Sequence, residues 1–599
     1  MSAVDIGRSA TRTWSFSRPR RPTVQVVVYA LLVLLVANLV LVPLGMVIAT
    51  SVNLGPITAP GEVGFTLSNY VRAWTSPTTH AVIMNTLVFA LFSTLLSMGL
   101  GVFFAFMVER TDMPMKNFAY AVVPLTIAMP GLLYGIAWVL LLSPNIGLFN
   151  LALMGLFGAE QGILTSWAHV GLAEAPIKPY SMAGMIFVDA IRGAGVVFLM
   201  TVGLFRNMDP SLEEAAAVSG AAPATVANKV TLRVMMPGIL AAFVFALTGN
   251  LETFDIPAVM GLPAGIHLLS TKIYLLSKTD DHGIASALGV VFVVLAVFFV
   301  WWYSRLTRRI ESFSTVTGKG YRPRQMRIGR FKYVAVAIIM LYLGIVVMAP
   351  FLVMLWASLL PYYQVPSWQA LQSVNLDAYK FVITNPWGVT AMRNTLILTF
   401  AAPTATMLIA TLISWFVVRS NMRGKRLLDV MAFLPHTVPS IIIALAMIYL
   451  FLTVPWRLVP IYGTVWIISL AIAIRYLAFG SRTMHGSVIQ LHKDLEEAAQ
   501  VGGVSWAKSF RYIVLPLLFP AIVSGWVFVA LHSIREVSMA LLLYSPDSRV
   551  ISLLMWDTWH NGEVGIAAAT GVLLMIAIGI IILAGRMVDQ RRSKAKAGI

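Results

Sequence analysis

The chain contains no cysteine in 599 residues, which excludes disulfide frameworks and thiolate metal sites. Charge is also scarce. Only 11% of the residues are Asp, Glu, Lys or Arg, against about 25% in soluble domains. No Gly-x-x-x-x-Gly-Lys-Ser/Thr occurs, and Gly318-Lys319-Gly320 is no phosphate loop. No hydrophilic stretch is long enough for a nucleotide-binding or solute-binding domain. The chain therefore reads as no enzyme by itself and as carrying no cofactor. None of the nine histidines forms an i, i+4 pair, so no zinc motif emerges. Asp280-Asp281-His282 reads as a solvated outer loop, because three adjacent residues cannot all reach one ion. No metal site is expected.

What is present is apolar: 58% hydrophobic residues and a mean hydropathy of +0.82. A soluble fold cannot hide that much apolar surface, so lipid is part of the solvent. The formal charge of +18 is read as basic loops facing anionic lipid, and no nucleic-acid partner is expected. A span needs about 20 apolar residues. Twelve candidates follow: 24–50, 81–108, 117–142, 181–205, 235–255, 284–304, 333–358, 394–418, 429–453, 461–481, 515–535 and 564–585. The fourth, fifth, tenth and eleventh are the weakest of them. All-α spans are expected, because backbone groups in lipid must bond within their own segment.

Basic residues set the orientation. Residues 305–332 hold nine Lys and Arg beside the single acid Glu311, and the tail adds Arg586, Arg591, Arg592, Lys594 and Lys596, whereas 51–80 holds only Arg72. The positive-inside rule then places both termini and the centre of the chain in the cytoplasm. The expected division is a cytoplasmic tail 1–23, a first six-helix unit 24–304, a basic linker 305–332, a second unit 333–585 and a basic tail 586–599.

The two units align with each other. Asn85-Thr86-Leu87 matches Asn394-Thr395-Leu396, and Arg110, Lys116 and Pro130 match Arg419, Lys425 and Pro439, all 309 positions apart. Beyond the outer loop 143–180, which carries Pro144, Pro176 and Pro179, the offset falls to 283. Six crossings per unit give both the same orientation, so the repeats relate by a pseudo-two-fold axis along the membrane normal.

A polar pattern recurs at the 283 offset. Residues 211–220 read Ser-Leu-Glu-Glu-Ala-Ala-Ala-Val-Ser-Gly, and 494–503 read Asp-Leu-Glu-Glu-Ala-Ala-Gln-Val-Gly-Gly. Ser211 with Glu214, and Asp494 with Glu497, suit capping boxes. Gly220 and Gly503 suit left-handed C-terminal residues. Pro223 and Ser505 suit the start of a second short helix, and Pro237 and Pro520 mark the approach to the next span.

This pattern resembles the cytoplasmic signature of binding-protein-dependent ABC importer permeases, here as two fused units. The resemblance implies that Glu213, Glu214, Ala215, Ala216 and Gly220, with Glu496, Glu497, Ala498, Ala499 and Gly503, contact two ATP-binding subunits that carry ATP and magnesium. It implies a periplasmic or lipid-anchored solute-binding protein and a bacterial inner-membrane location. The family's Leu-Pro is kept at Leu515-Pro516 but reads Leu232-Arg233 in the first unit. Fused two-unit forms resemble the ferric-iron branch, which makes ferric iron, free or chelated, the expected cargo. Phosphonate, sulfate, thiamine and polyamines are the alternatives, and an ion-coupled secondary transporter is the alternative class.

Ionisable residues within spans default to functional suspects. Arg192 and Arg475 occupy equivalent repeat positions. Asp189, three residues before Arg192, is placed to pair with it on one helix face. Glu252 and Asp255 follow span five, Arg535 and Glu536 follow span eleven, and both sets are expected at the outer mouth. Asp189, Arg192, Glu252, Asp255, Arg475 and Glu536 are the candidate translocation residues, with an ordinary structural ion pair as the competing reading. Arginines in the path favour an anionic or chelated cargo over a bare trivalent cation.

Overall fold

The computed structural model describes residues 24–53, 64–157, 177–209, 211–279, 281–311, 325–453 and 456–596. The tail 1–23, Pro176, Pro210, Asp280 and the linker's Lys319, Arg322 and Arg324 lie outside them. Among the described residues β-structure is confined to two isolated bridges, Asn53 with Phe65 and Thr111 with Met326. The rest is helix and connection, as an apolar solvent demands.

Among the described residues ten helices are long and apolar enough to span a membrane. They are Val24–Ser51, Pro77–Arg110, Met182–Arg206, Pro223–Leu251, His282–Tyr303, Phe331–Ser358, Pro386–Arg419, Val465–Gln490, Trp506–Ser533 and Val564–Gly585. The four weakest sequence candidates are all among them. The third and ninth candidates, 117–142 and 429–453, are not straight spans. Each is a pair of helices, Lys116–Ile127 with Gly131–Leu141 bent by 95°, and Lys425–Thr437 with Ser440–Leu452 bent by 112°. The cause is proline. Pro130 and Pro439 stand at the two breaks with extended ψ of 138° and 143°, have no N–H to donate, and bias the preceding residue away from helix. Hydropathy sums are blind to such a bend.

Contacts between helices settle how these broken pairs count. Pro77–Arg110 packs along Met182–Arg206 with residue numbers rising together. A Cβ on Gly193 would lie 3.2 Å from Ser97, one on Gly101 would lie 2.6 Å from Val197, and Glu109 pairs with Arg206 at 3.0 Å. The second unit repeats this. Ser414 donates to the Ser481 carbonyl at 2.8 Å, and Arg419 to that of Val488 at 3.0 Å. Small residues at these seams allow the close approach on which helix association in lipid depends. The helices of each seam are parallel, so the chain between them must cross back. Each broken pair is that return, which gives six crossings per unit and twelve among the described residues.

The N-terminal ends of the two seam helices share one face. Thr86 accepts from the Leu269 amide at 2.9 Å and Thr395 from that of Ile551 at 2.8 Å. Asn85 donates to the His267 carbonyl at 3.4 Å, and Asn394 to those of Asp547 and Arg549 at 2.8 and 3.0 Å. These anchored segments meet across the two units, where the Phe254 and Tyr274 rings each lie 6.4 Å from that of Trp556. The Arg110 and Arg419 ends therefore lie together on the opposite face.

The units also exchange their first helices. Tyr29, on Val24–Ser51, donates to the Arg423 carbonyl at 2.9 Å and packs on Phe416 at 5.2 Å. Tyr342, on the first helix of the second unit, donates to the Ile191 carbonyl at 2.9 Å and meets Phe104 edge-on at 4.9 Å. Each unit's first helix thus lies on the other unit's bundle. The described part of loop 143–180 contains a helix, Leu148–Phe157, where Asn150 donates to Leu142 and Ile177 carbonyls at 2.6 and 2.9 Å and ties the loop's two ends together.

Candidate functional site

The repeated polar pattern forms two short helices, Ser211–Val218 and Asp494–Val501. Each ends in a glycine of positive φ, +81° at Gly220 and +77° at Gly503. Paired turns close both ends. Ala221 donates to Ala216 and Gly220 to Ala217, while Val504 donates to Ala499 and Gly503 to Gln500, a Schellman arrangement in which glycine avoids the Cβ clash. Pro223–Val226 follows with proline in its first turn. The N-terminal expectation is corrected. Ser211 makes no capping box; its amide instead donates to Asp209 Oδ1 at 2.9 Å, and no side chain caps Asp494–Val501. Nor do Pro237 and Pro520 stand at the approach to a span. They lie inside Pro223–Leu251 and Trp506–Ser533, because a π-turn at Ala227–Thr231 and another at Phe510–Val514 carry the short helix into the long one. Both units follow this course, whether Arg233 or Pro516 comes next.

Each short helix is bolted to its bundle by its first glutamate. Glu213 is 5% exposed and Arg110 1%. Arg110 Nε donates to Glu213 Oε1 at 3.2 Å and Nη2 to Oε2, Thr231 adds a third donor, and Arg110 Nη1 reaches the Phe205 and Met208 carbonyls. In the second unit Glu496 accepts from Trp415 Nε1 at 2.9 Å and lies 3.4 Å from Arg419 Nε. Both carboxylates point into the protein. The outward residues are Glu497, Ala215, Ala498, Gly220 and Gly503, with Glu214, Ala216 and Ala499 half-buried. Sequence reasoning missed the most prominent ones. Val218 is 84% exposed and Val501 91%, and Leu212 and Leu495 stand out beside them. The signal was there: four apolar residues at equal repeat positions on helices outside the apolar spans.

The first short helix has a neighbour that the second lacks among the described residues. The end of the linker pairs with Thr111 through Met326, and Asp112 accepts from the Ile328 amide at 3.0 Å and from Lys332 at 3.5 Å. That amide, and then the Lys332 ammonium, hold the Asp112 carboxyl below the usual carboxylate range. A cavity of about 530 Å³ opens between this strap and Glu214.

Four of the six candidate translocation residues, Arg192, Glu252, Asp255 and Glu536, line a second cavity, of about 190 Å³, between the units, whereas Asp189 and Arg475 are not in its lining. Arg475 Nη2 forks onto both oxygens of Glu252 at 2.8 Å, and Nη1 donates to the Pro435, His436 and Val438 carbonyls freed by the broken helix. Glu252 is thus not at an outer mouth. Its helix starts in the short-helix hairpin and ends level with Arg475, ten residues into Val465–Gln490. Arg535 donates to the Ile127 carbonyl at 2.6 Å and reaches His532, and Glu536 accepts from the Met539 amide at 3.1 Å. The expected Asp189–Arg192 pair does not form. No ion pair within 4.0 Å joins them, and Asp189 Oδ2 is buried without a hydrogen-bond partner. Asp281 of the Asp-Asp-His stretch pairs with Arg72 at 3.0 Å. Among the described residues no three His, Asp or Glu side chains are grouped to hold a metal ion.

Twin polar helices on one face of a duplicated twelve-span bundle make a family assignment testable. The family described as binding-protein-dependent transport system inner membrane component matches residues 97–312 and 406–594. The chain belongs to this family. Its members among known proteins include the ferric transport system permease protein FbpB of Actinobacillus pleuropneumoniae, 27% identical over 67% of this chain and 58% of that protein. A putative ferric transport permease of Haemophilus influenzae is 27% identical over 62% and 58%. A second Haemophilus influenzae protein, an Fe(3+)-transport permease, is 22% identical over 86% of this chain and 91% of its own length. The chain thus spans a little under three fifths of the first two relatives. As a permease of this family with ten or more apolar helices, it is a multi-pass inner-membrane protein.

Proposed function

We propose that this chain is the membrane-spanning subunit of an ABC importer and that its cargo is ferric iron delivered by a solute-binding protein. The observation that carries the reading is the pair of short helices, each anchored inward by a glutamate and presenting exposed valine and leucine at equal repeat positions on one face. Exposed apolar side chains that recur at equal positions on two helices of one aqueous face fit a docking surface, and a two-fold arrangement fits a pair of ATPase subunits. Both termini and both short helices are cytoplasmic in this reading, and ATP and magnesium belong to the partners. Closure of the ATPase pair draws the two helices together. The ion pairs through Arg110 and Arg419 pass that displacement to the seam helices, and the cavity between the units opens outward. Iron is the cargo named by the three relatives above.

The test is co-expression with a candidate ATPase subunit. Wild-type chain retains the ATPase through purification, and Val218→Asp with Val501→Asp loses it. Uptake of radiolabelled ferric iron by cells carrying the whole system follows the same order. A wild-type chain that never retains a nucleotide-hydrolysing subunit overturns the proposal.

A further inference from the structure

We infer that the cavity between the units is an oxyanion subsite held by Arg192 with Arg535, so that the cargo crosses as an oxyanion or as a metal complex coordinated by one. This rests on the import reading above and narrows its cargo.

The pseudo-symmetry of the two units is broken at this cavity. Arg192 and Arg475 are equivalent in the repeat, but their partners are not. Glu252 corresponds to Arg535, and Asp255 to Ser538. Arg475 is consequently spent on Glu252 and three backbone carbonyls. The mirror position offers Arg192 another arginine. Arg535 has taken the Ile127 carbonyl, equivalent to the His436 carbonyl that Arg475 holds, and the Arg192 guanidinium makes no hydrogen bond and no ion pair among the described residues. A guanidinium ten residues into a 25-residue spanning helix is costly unless it faces water or a ligand. Here it lines the cavity.

Two of the three acids there are already committed. Glu252 belongs to Arg475, and Glu536 accepts the Met539 amide. Asp255 feels both Arg192 and Arg535 yet lies within 4.0 Å of neither. It is pressed against Gly131, where an added Cβ would meet Asp255 Oδ2 at 2.1 Å. Arg192, with the partly engaged Arg535 beside it, therefore lines open space of about 190 Å³ that Asp255 also borders, room for roughly six waters at about 30 Å³ each, or for one small carboxylate or phosphate. A guanidinium presents a planar fork of donors that matches such groups two bonds at a time. With no grouping of three metal ligands among the described residues, a bare trivalent cation finds no donor set in this cavity.

The test uses the full chain purified in detergent, without ATPase, and titrates citrate, inorganic phosphate and ferric citrate by calorimetry. Saturable binding is expected, weakened about tenfold or more by Arg192→Gln, the loss of charged hydrogen bonds. Arg192→Lys, which keeps charge but not the fork, falls between and carries the test if the Gln variant does not fold. Equal affinity for citrate with and without iron assigns a free oxyanion, and binding only of the ferric form assigns the complex. No saturable binding of any of the three, or affinities that neither substitution changes, overturns the inference. ATPase retention is measured without cargo, so the import reading and this one fail separately.

Discussion

At the scale of single residues, the Glu252–Arg475 bridge does two jobs. It joins the units and satisfies carbonyls that the broken helix leaves bare. Removing one member of a poorly solvated pair leaves the other uncompensated, at a cost on the order of 3 kcal/mol. Arg475→Ala is therefore expected to lower the thermal midpoint of the purified chain more than Glu252→Gln does, and the double substitution to cost less than the sum of the singles. An additive cycle would show that the two side chains do not act together. Asp112 gives a pH prediction. Its carboxyl is held low by the Ile328 amide and Lys332, so its contribution is full above the ordinary carboxylate pKa and is lost as pH falls through the lower folded value. Protection of the Met326 and Ile328 amides, taken relative to intrinsic exchange at each pH, is expected to hold from pH 7 to 5 and to decline below about pH 4. Asp112→Asn is expected to give a protection that no longer varies across this range.

At the scale of elements, the short helices depend on their ends and their anchors. Gly220→Ala and Gly503→Ala force a Cβ into left-handed backbone, at about 1 kcal/mol each. Faster amide exchange is expected over 211–226 in the first and 494–509 in the second, with the spans unchanged. Arg110→Ala strands a buried Glu213 and is expected to loosen 211–231 and abolish ATPase retention; Glu213→Gln, which keeps some hydrogen bonds, is expected to reduce it only in part. Much of this was legible in the sequence. The glutamate, alanine and glycine spacing marked both helices and their C-terminal turns, because glycine preferences are local, but the capping boxes it suggested do not form. What escaped notice was long-range. The Arg475 partner lies 223 residues away, beyond any spacing rule. The i, i+3 expectation for Asp189 and Arg192 failed because the cavity, not the helix face, sets where that arginine points. The two bends escaped a hydropathy sum although Pro130 and Pro439 were visible at matching positions.

At the scale of the molecule, duplication has been kept in the scaffold and abandoned in the cavity. The Asn-Thr anchors, parallel seams, broken returns and short helices all occur twice, whereas the charges at 252 and 535 are opposite in sign. Two chains divided within 312–324 and expressed together are expected to co-purify, because each unit's first helix packs on the other through Tyr29 and Tyr342. Recovery of either half alone as a monodisperse species would contradict that.

The exchange of first helices bears on how force is shared. A bundle that tilts carries with it a rod whose chain continues into its twin, so neither side can swing while the other stays still. A push delivered at one foothold reaches both walls of the passage, and a motor with only one working cylinder would still stir the whole gate.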